Sequence, residues 1–281
     1  MSLSGRPQNV ASDKLAQLNA VRARIAAIEA GATAGRGVLS LGEPRIDAAF
    51  PGGGLPLGRW HETVGEGLDS ETGAASAAFT AALVQPLAAR GTVVWVMRRD
   101  DLYVPGLAGL GFPAERLILV LTRDEAEALS ALEDALGTAG VSAAVGEVEG
   151  ADLVAGRRLQ LACERHGATG FLIRRKPFGG AAAKAGRSGA LSGSLCATRW
   201  RVGPAPSEPM DAMPGPSLPW LGPPRWRVTL ERCRGGRTGS WLMEKSDGAH
   251  PLRLVADLGD RELAPAQPGQ RHAGSLRRLF G

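Results

Sequence analysis

Two continuous apolar runs do most to fix what this chain can fold into: "TVVWVM" (92–97) and "RLILVLT" (116–122). A strand that is apolar at consecutive positions has no polar face to turn to water, so it belongs in a parallel sheet covered on both sides. The neighbouring segments supply that cover. Residues 124–138 form an amphipathic helix whose acidic first turn suits the helix dipole, and residues 151–167 form another helix. "VSAAVGEV" (141–148), "TGFLIRR" (169–175) and "RWHETVG" (59–65) read as further strands, and 73–89 as a helix that Pro86 bends or ends. Strands alternating with helices predict an α/β fold with a mostly parallel central sheet.

The strand at 59–65 leads through "VGEGLDSETGAAS" (64–76) into a helix, the layout of a phosphate-cradling loop. Such a loop needs a lysine for the β/γ-phosphates and a hydroxyl for magnesium, in the pattern G-x-x-x-x-G-K-[ST]. Gly73 takes the place of the loop glycine, but Ala74 and Ala75 follow it. The four lysines of the chain are Lys14, Lys176, Lys184 and Lys245, and none follows a glycine. Glu66, Asp69 and Glu71 also place negative charge where a triphosphate would sit. A metal-holding acid is displaced too: "SAAVGEV" offers Gly146 and then Glu147, which reads as a solvated strand-end residue. No nucleotide, cofactor, metal or enzymatic activity is expected. Cys163, Cys196 and Cys233 are too widely spaced for a disulfide framework or a zinc site and point to reduced cytoplasm. His61, His166, His250 and His272 are equally scattered. No apolar run approaches a membrane span, and the first residues lack the apolar centre of a signal peptide.

Charge divides the chain. Residues 1–156 hold 12 Lys+Arg against 19 Asp+Glu, whereas 157–281 hold 21 against 9. A basic second half suits a polyanion, most simply nucleic acid. The basic residues concentrate around a small-residue loop, "KPFGGAAAKAGRSGALSGS" (176–194). Arg174, Arg175, Lys176, Lys184 and Arg187 surround it, and Arg199 and Arg201 alternate on the strand "ATRWRVG" (197–203). Only Phe178 and Trp200 could stack on bases, so weak, salt-dependent, sequence-independent phosphate contacts are expected. A Pro-rich loop (204–224) precedes a hairpin (225–246) turning at "RGGRTG".

Both ends carry apolar clusters. In 12–30, Leu15, Leu18, Val21, Ile25 and Ile28 recur at helical spacing, followed by a Gly/Thr/Ala linker. This stripe packs either on its own core or on another protein. Leu276, Leu279 and Phe280 close a Pro/Gly/Gln-rich tail and either dock on a partner or fold back. The chain divides into 1–34 (helix and linker), 35–247 (core) and 248–281 (loosely ordered tail).

In order, "SLGEPRIDAAF", "GGGLPLGR", the strand "TVVWVM", the loop after "GFLIRR" and the closing hairpin resemble the RecA ATPase core, over nearly three quarters of the chain. Arg99 falls at the place of that family's catalytic glutamate, and 176–194 at its second DNA-binding loop. With the "FPGGGLP.GR.HE" signature and no P-loop lysine, the chain is identified as a member of the ImuA family, RecA-related accessory proteins of a bacterial mutagenesis cassette. That resemblance implies a non-catalytic, cytoplasmic role in SOS-type, DNA-damage-induced translesion synthesis. It also implies an ImuB-like inactive Y-family polymerase as partner, an error-prone C-family polymerase indirectly, single-stranded or primer-template DNA, and RecA or a second copy as a further neighbour. In RecA the helix equivalent to 12–30 packs on the adjacent subunit, which makes it a candidate partner site here. The alternative is a SulA-like inhibitor of FtsZ, a shorter relative of the same degenerate core; length and the basic second half argue against it.

Overall fold

The computed structural model describes residues 20, 37–175, 195–208, 222–247 and 250–258, with backbone alone for 69–72. The readings of the 12–30 helix (apart from Ala20), of loop 176–194 and of Leu276, Leu279 and Phe280 lie outside these residues.

β1 (Val38–Leu39) and β2 (Leu55–Pro56) form a small antiparallel pair on either side of α1 (Pro44–Asp47). The main run then follows: β3 (Trp60–Gly65), α2 (Asp69–Ala88), β4 (Thr92–Met97), α3 (Val104–Gly109), β5 (Leu117–Leu121), α4 (Glu125–Leu136), β6 (Val141–Val148), α5 (Leu153–His166) and β7 (Thr169–Arg174). β8 (Thr198–Ala205), β9 (Arg225–Cys233), β10 (Gly239–Lys245) and β11 (Leu252–Asp257) complete the chain. One nine-stranded sheet has the order β11-β10-β9-β8-β3-β7-β6-β4-β5. Every pairing from β5 to β8 is parallel and every pairing from β8 to β11 is antiparallel. This is the expected class, a mostly parallel sheet flanked by helices and closed by antiparallel strands.

Strand alternation divides the core in two. Val93, Trp95 and Met97 of β4 face α2, whereas Val94 and Val96 face α4 and α5. On the α2 side an aromatic cluster joins the parallel and antiparallel halves. The Trp200 ring lies 5.9 Å from Phe50, 5.6 Å from Phe79 and 6.4 Å from Trp241. On the other side small residues let the helices approach. A side chain at Gly146 would stand 2.8 Å from Leu132 Cδ2, and one at Gly170 would stand 3.2 Å from Leu136 Cδ1 and 3.4 Å from Cys163 Sγ. Asp124 and Asp152 cap α4 and α5, accepting from the Glu127 and Ala155 N–H groups at 2.9 and 2.8 Å.

Three expectations need correction. β5 is not a buried central strand but the edge of the sheet, with Ile118, Leu119 and Leu121 exposed. Apolarity alone does not separate a strand with two neighbours from one with a single neighbour. α2 begins at Asp69, not Gly73, because "DSET" completes a helical turn ahead of the Ala-rich run. The sheet also runs past residue 247: β11 pairs with β10, and its Leu252 and Leu254 are buried in the core.

Candidate functional site

In an open α/β sheet the ligand crevice lies beyond the carboxyl ends of the parallel strands. Here that edge gathers the end of β3, the start of α2, and the residues after β4, β6 and β7. Only Glu66, Gly67 and Leu68 separate β3 from α2. Gly73, Ala74 and Ala75 therefore lie within the helix, not in a loop. A phosphate cradle needs free N–H groups of a loop wrapped around the anion; at Gly73 those groups belong to a helix that has already begun.

The space beside Gly73 is filled from the opposite strand. A Cβ built on Gly73 would stand 2.4 Å from Arg175 Nη1. Arg175 also pairs with Glu147, Nη2 to Oε2 at 2.6 Å and Nε at 2.7 Å, and its Nη2 lies 3.5 Å from Asp101. The Trp95 indole N–H donates to the other Glu147 oxygen at 2.9 Å. Glu147 is 3% exposed, so the expectation of a solvated strand-end carboxylate is wrong. Burial of its charge is compensated by a guanidinium whose Nε and Nη2 both reach Oε2 and by an indole N–H at Oε1. Arg99 lies 3.5 Å from Asp101, on the outer side of the same cluster. Glu66 turns away from the helix start and pairs with Arg227 at 2.9 Å across β8. It crosses at Gly203, where a Cβ would meet the Glu66 carboxylate at 1.9 Å.

A second buried cluster lies on the opposite face. Arg199 Nε donates to Glu62 Oε2 at 2.7 Å; the two residues are 4% and 3% exposed. Arg174 Nε lies 3.5 Å from the other Glu62 oxygen and donates to the Glu149 carbonyl at 3.1 Å. The Cys196 thiol points at Glu62 as well, at 3.7 Å. Burial works against the Arg199 charge, but the charge and hydrogen bond of Glu62 outweigh it and hold the guanidinium above its ordinary pKa.

These placements revise the expected basic patch. Arg174, Arg199 and Arg201 share one face of the sheet, and Arg175 points to the other. Arg199 is buried and internally paired, so it presents no charge to solvent. Arg201 is half-exposed and paired with Glu231 at 2.5 Å. Lys176, Lys184 and Arg187 lie outside the described residues. Arg225, Arg227 and Arg253, not named among the expected site residues, share Arg201's face, and among the described residues no helix lies over them. Arg225 and Arg253 flank Glu244, and Arg225 also reaches Glu208 at 2.8 Å. The alternation of Arg with apolar residues in "RWRVTL" was the available signal.

The remaining polar core is ordinary. His61 is fully buried, with Nδ1 2.8 Å from the Thr198 hydroxyl and Nε2 donating to the Pro56 carbonyl at 2.9 Å. Burial depresses its pKa to about 4, against a smaller opposing effect of the Pro56 bond. Burial pushes the Cys233 thiol up to about 12. Among the described residues no three His, Cys, Asp or Glu side chains converge as a metal site, and no helix is long and apolar enough to cross a membrane.

No family model matches the chain. "Protein ImuA" from two strains of Caulobacter vibrioides, NA1000/CB15N and ATCC 19089/CB 15, is 57% identical over 249 residues, covering 87% of this chain and 99% of the relative. Among solved structures, the RadB recombinase crystal structure aligns with a TM-score of 0.49 at 16% identity, over 78% of this chain and all of that one.

Proposed function

The chain belongs to the ImuA family, and from that premise we propose that it is a non-catalytic accessory factor in DNA-damage-induced mutagenesis, bridging an ImuB-like polymerase relative and DNA. The observation that carries the non-catalytic part is the Arg175–Glu147 pair lodged against Gly73. Arg175 supplies a cation next to the helix, but that cation is consumed by buried Glu147 and by Asp101. A nucleotide phosphate would have to displace an internal ion pair and find its backbone donors already within a helix. The Walker lysine, a magnesium-holding hydroxyl and a free carboxylate are replaced by Ala74, Ala75 and a neutralised Glu147.

The face carrying Arg201, Arg225, Arg227 and Arg253 supports a DNA-facing role. Each arginine has a carboxylate neighbour, so a phosphate backbone competes with an existing partner. Weak, steeply salt-dependent binding is the outcome expected of such a surface. A protein of this kind is recruited by partner affinity and expression, not timed by hydrolysis.

The test is binding of the purified chain to its genome's own ImuB-like protein, with and without primer-template DNA. A stable binary complex that retains DNA supports the bridge. Binding to FtsZ instead would support the SulA-like alternative, and binding to neither would refute the proposal.

A further inference from the structure

The carboxylates on the open strand face differ in where they come from. Glu244 stands directly opposite Arg225 on one side and Arg253 on the other, and Glu231 lies diagonal to Arg201 across β8 and β9. Such pairs are ordinary neighbours of adjacent strands. Glu66 is not a strand residue. It follows β3, and its N–H donates to the Val202 carbonyl of β8 at 3.0 Å. Its side chain then crosses β8 to place Oε2 2.9 Å from Arg227 Nη2 on β9.

The crossing depends on Gly203. Arg227 is the register partner of Gly203 on β9, and an added Cβ would stand 1.9 Å from Glu66 Oε2 and 2.3 Å from its Cδ. Glycine inside a strand marks a close approach of this kind; here a carboxylate lies over a position without a side chain. Both ends of the pair remain open to solvent, the Arg227 side chain by 37% and the Glu66 side chain by 22%. A phosphate can therefore reach the guanidinium, and an ion pair at such a surface is weak enough to be exchanged. Arg225 differs, because its side chain is 9% exposed and is held by both Glu208 and Glu244.

From this arrangement we propose that Glu66 is an internal competitor for phosphate, an autoinhibitory carboxylate that occupies Arg227 and lowers the affinity of the face for DNA. The inference rests on the DNA-facing role proposed for that face. Carboxylate and phosphate oxygens accept from the same edge of a guanidinium, so the two cannot hold Arg227 at once. Binding DNA there requires the release of Glu66, and any change that takes Glu66 off Arg227 raises affinity.

The purified full-length chain is titrated into a fluorescein-labelled primer–template oligonucleotide and followed by anisotropy across a salt series. Glu66→Gln is expected to tighten binding by about two- to fivefold. It should also steepen the log–log salt dependence by about one counterion, since one more arginine meets phosphate. Two further variants keep the charge: Glu66→Asp shortens the reach by one methylene, and Gly203→Ala blocks the crossing. Each should tighten binding by about twofold, with the fold checked by circular dichroism. Glu115→Gln, on an exposed carboxylate beside the opposite edge of the sheet, makes the same change of net charge as Glu66→Gln and should leave affinity unchanged. Glu66→Gln added to Arg227→Ala should gain nothing over Arg227→Ala alone. Wild-type binding that Glu66→Gln leaves unchanged, that Glu115→Gln tightens equally, or that Glu66→Gln still tightens without Arg227 overturns the inference and leaves the DNA-facing role standing. No binding by the wild type, Glu66→Gln or Glu66→Asp removes that role and the inference with it.

Discussion

Glu62 can be replaced to ask what Arg199 is for. The two side chains are buried and joined at 2.7 Å, so removing one leaves the other's charge inside the protein. Breaking a buried pair by removing one member costs about 3–5 kcal/mol, because the remaining charge stays buried and uncompensated. Arg174, the other cation near Glu62, adds little to that figure, since it is partly exposed and keeps its bond to the Glu149 carbonyl. Glu62→Ala should therefore lose about 3–5 kcal/mol. At a slope of about 2–3 kcal/mol per molar urea, the unfolding midpoint falls by about 1–2 M. Glu62→Gln keeps an acceptor and should lose less. Glu62→Leu with Arg199→Met removes both charges at similar volume and should recover most of the loss. The double variant also decides the role of Arg199: its affinity for single-stranded DNA should equal that of the wild type. A loss below about 1 kcal/mol for Glu62→Ala would put the pair in the range of a surface bridge and refute the burial argument. Reduced DNA binding by the folded double variant would return Arg199 to the interface.

His61 binds a proton more readily unfolded, near its usual 6.5, than folded, at about 4. Stability should thus be intact above pH 6.5 and fall as pH drops toward 4, by up to about 3 kcal/mol relative to His61→Gln, as read by urea melts across that range. An equal pH slope in both proteins would contradict the burial of a neutral imidazole. With the Cys233 thiol raised to about 12 and Cys163 and Cys196 buried, the native chain should react with a thiol-specific disulfide reagent at pH 8 far more slowly than in denaturant; rapid native labelling of Cys233 would show an open site. Restoring Lys and Thr at Ala74 and Ala75 should not create magnesium-dependent binding of a fluorescent ATP analogue, because Arg175–Glu147 still fills the space at Gly73; saturable micromolar binding by the wild type would defeat the pseudo-site reading itself.

The sheet was legible because its strands are punctuated by their own chemistry. The runs at 92–97 and 141–148 coincide with β4 and β6, since a doubly covered strand is mostly apolar or small, Glu147 being the charged exception that its partners compensate. The helix at 124–138 was equally plain from its capped acidic start and its buried Leu132 and Leu136. What the pattern could not give was strand order. "LILVL" is as apolar as "VVWVM", and only the crossover topology makes one an edge and the other central. β11 was missed for a related reason: "LRLVAD" is a short half-exposed strand, and nothing in it distinguishes an added edge from a tail until β10 is there to pair with it.

The candidate site was legible by residue type and misleading by partner. The missing lysine can be counted in a sequence, and so can an excess of arginine, but the second count cannot separate a guanidinium offered to phosphate from one already spent on a carboxylate. Arg174 and Arg175 are adjacent in sequence, yet strand alternation sends them to opposite faces, one to Glu62 and the other to Glu147. Glu147 is compensated by Arg175, which follows β7, and Glu62 chiefly by Arg199, which arrives from β8. The acid that looked solvated and the base that looked like a DNA contact are thus two halves of one packing decision, made by residues 28 positions apart. Such a pair fills the crevice of an α/β sheet with protein in place of ligand. With that crevice filled by Arg175 and Glu147, the charge left to meet a partner among the described residues lies elsewhere, on the strand face of Arg201, Arg225, Arg227 and Arg253.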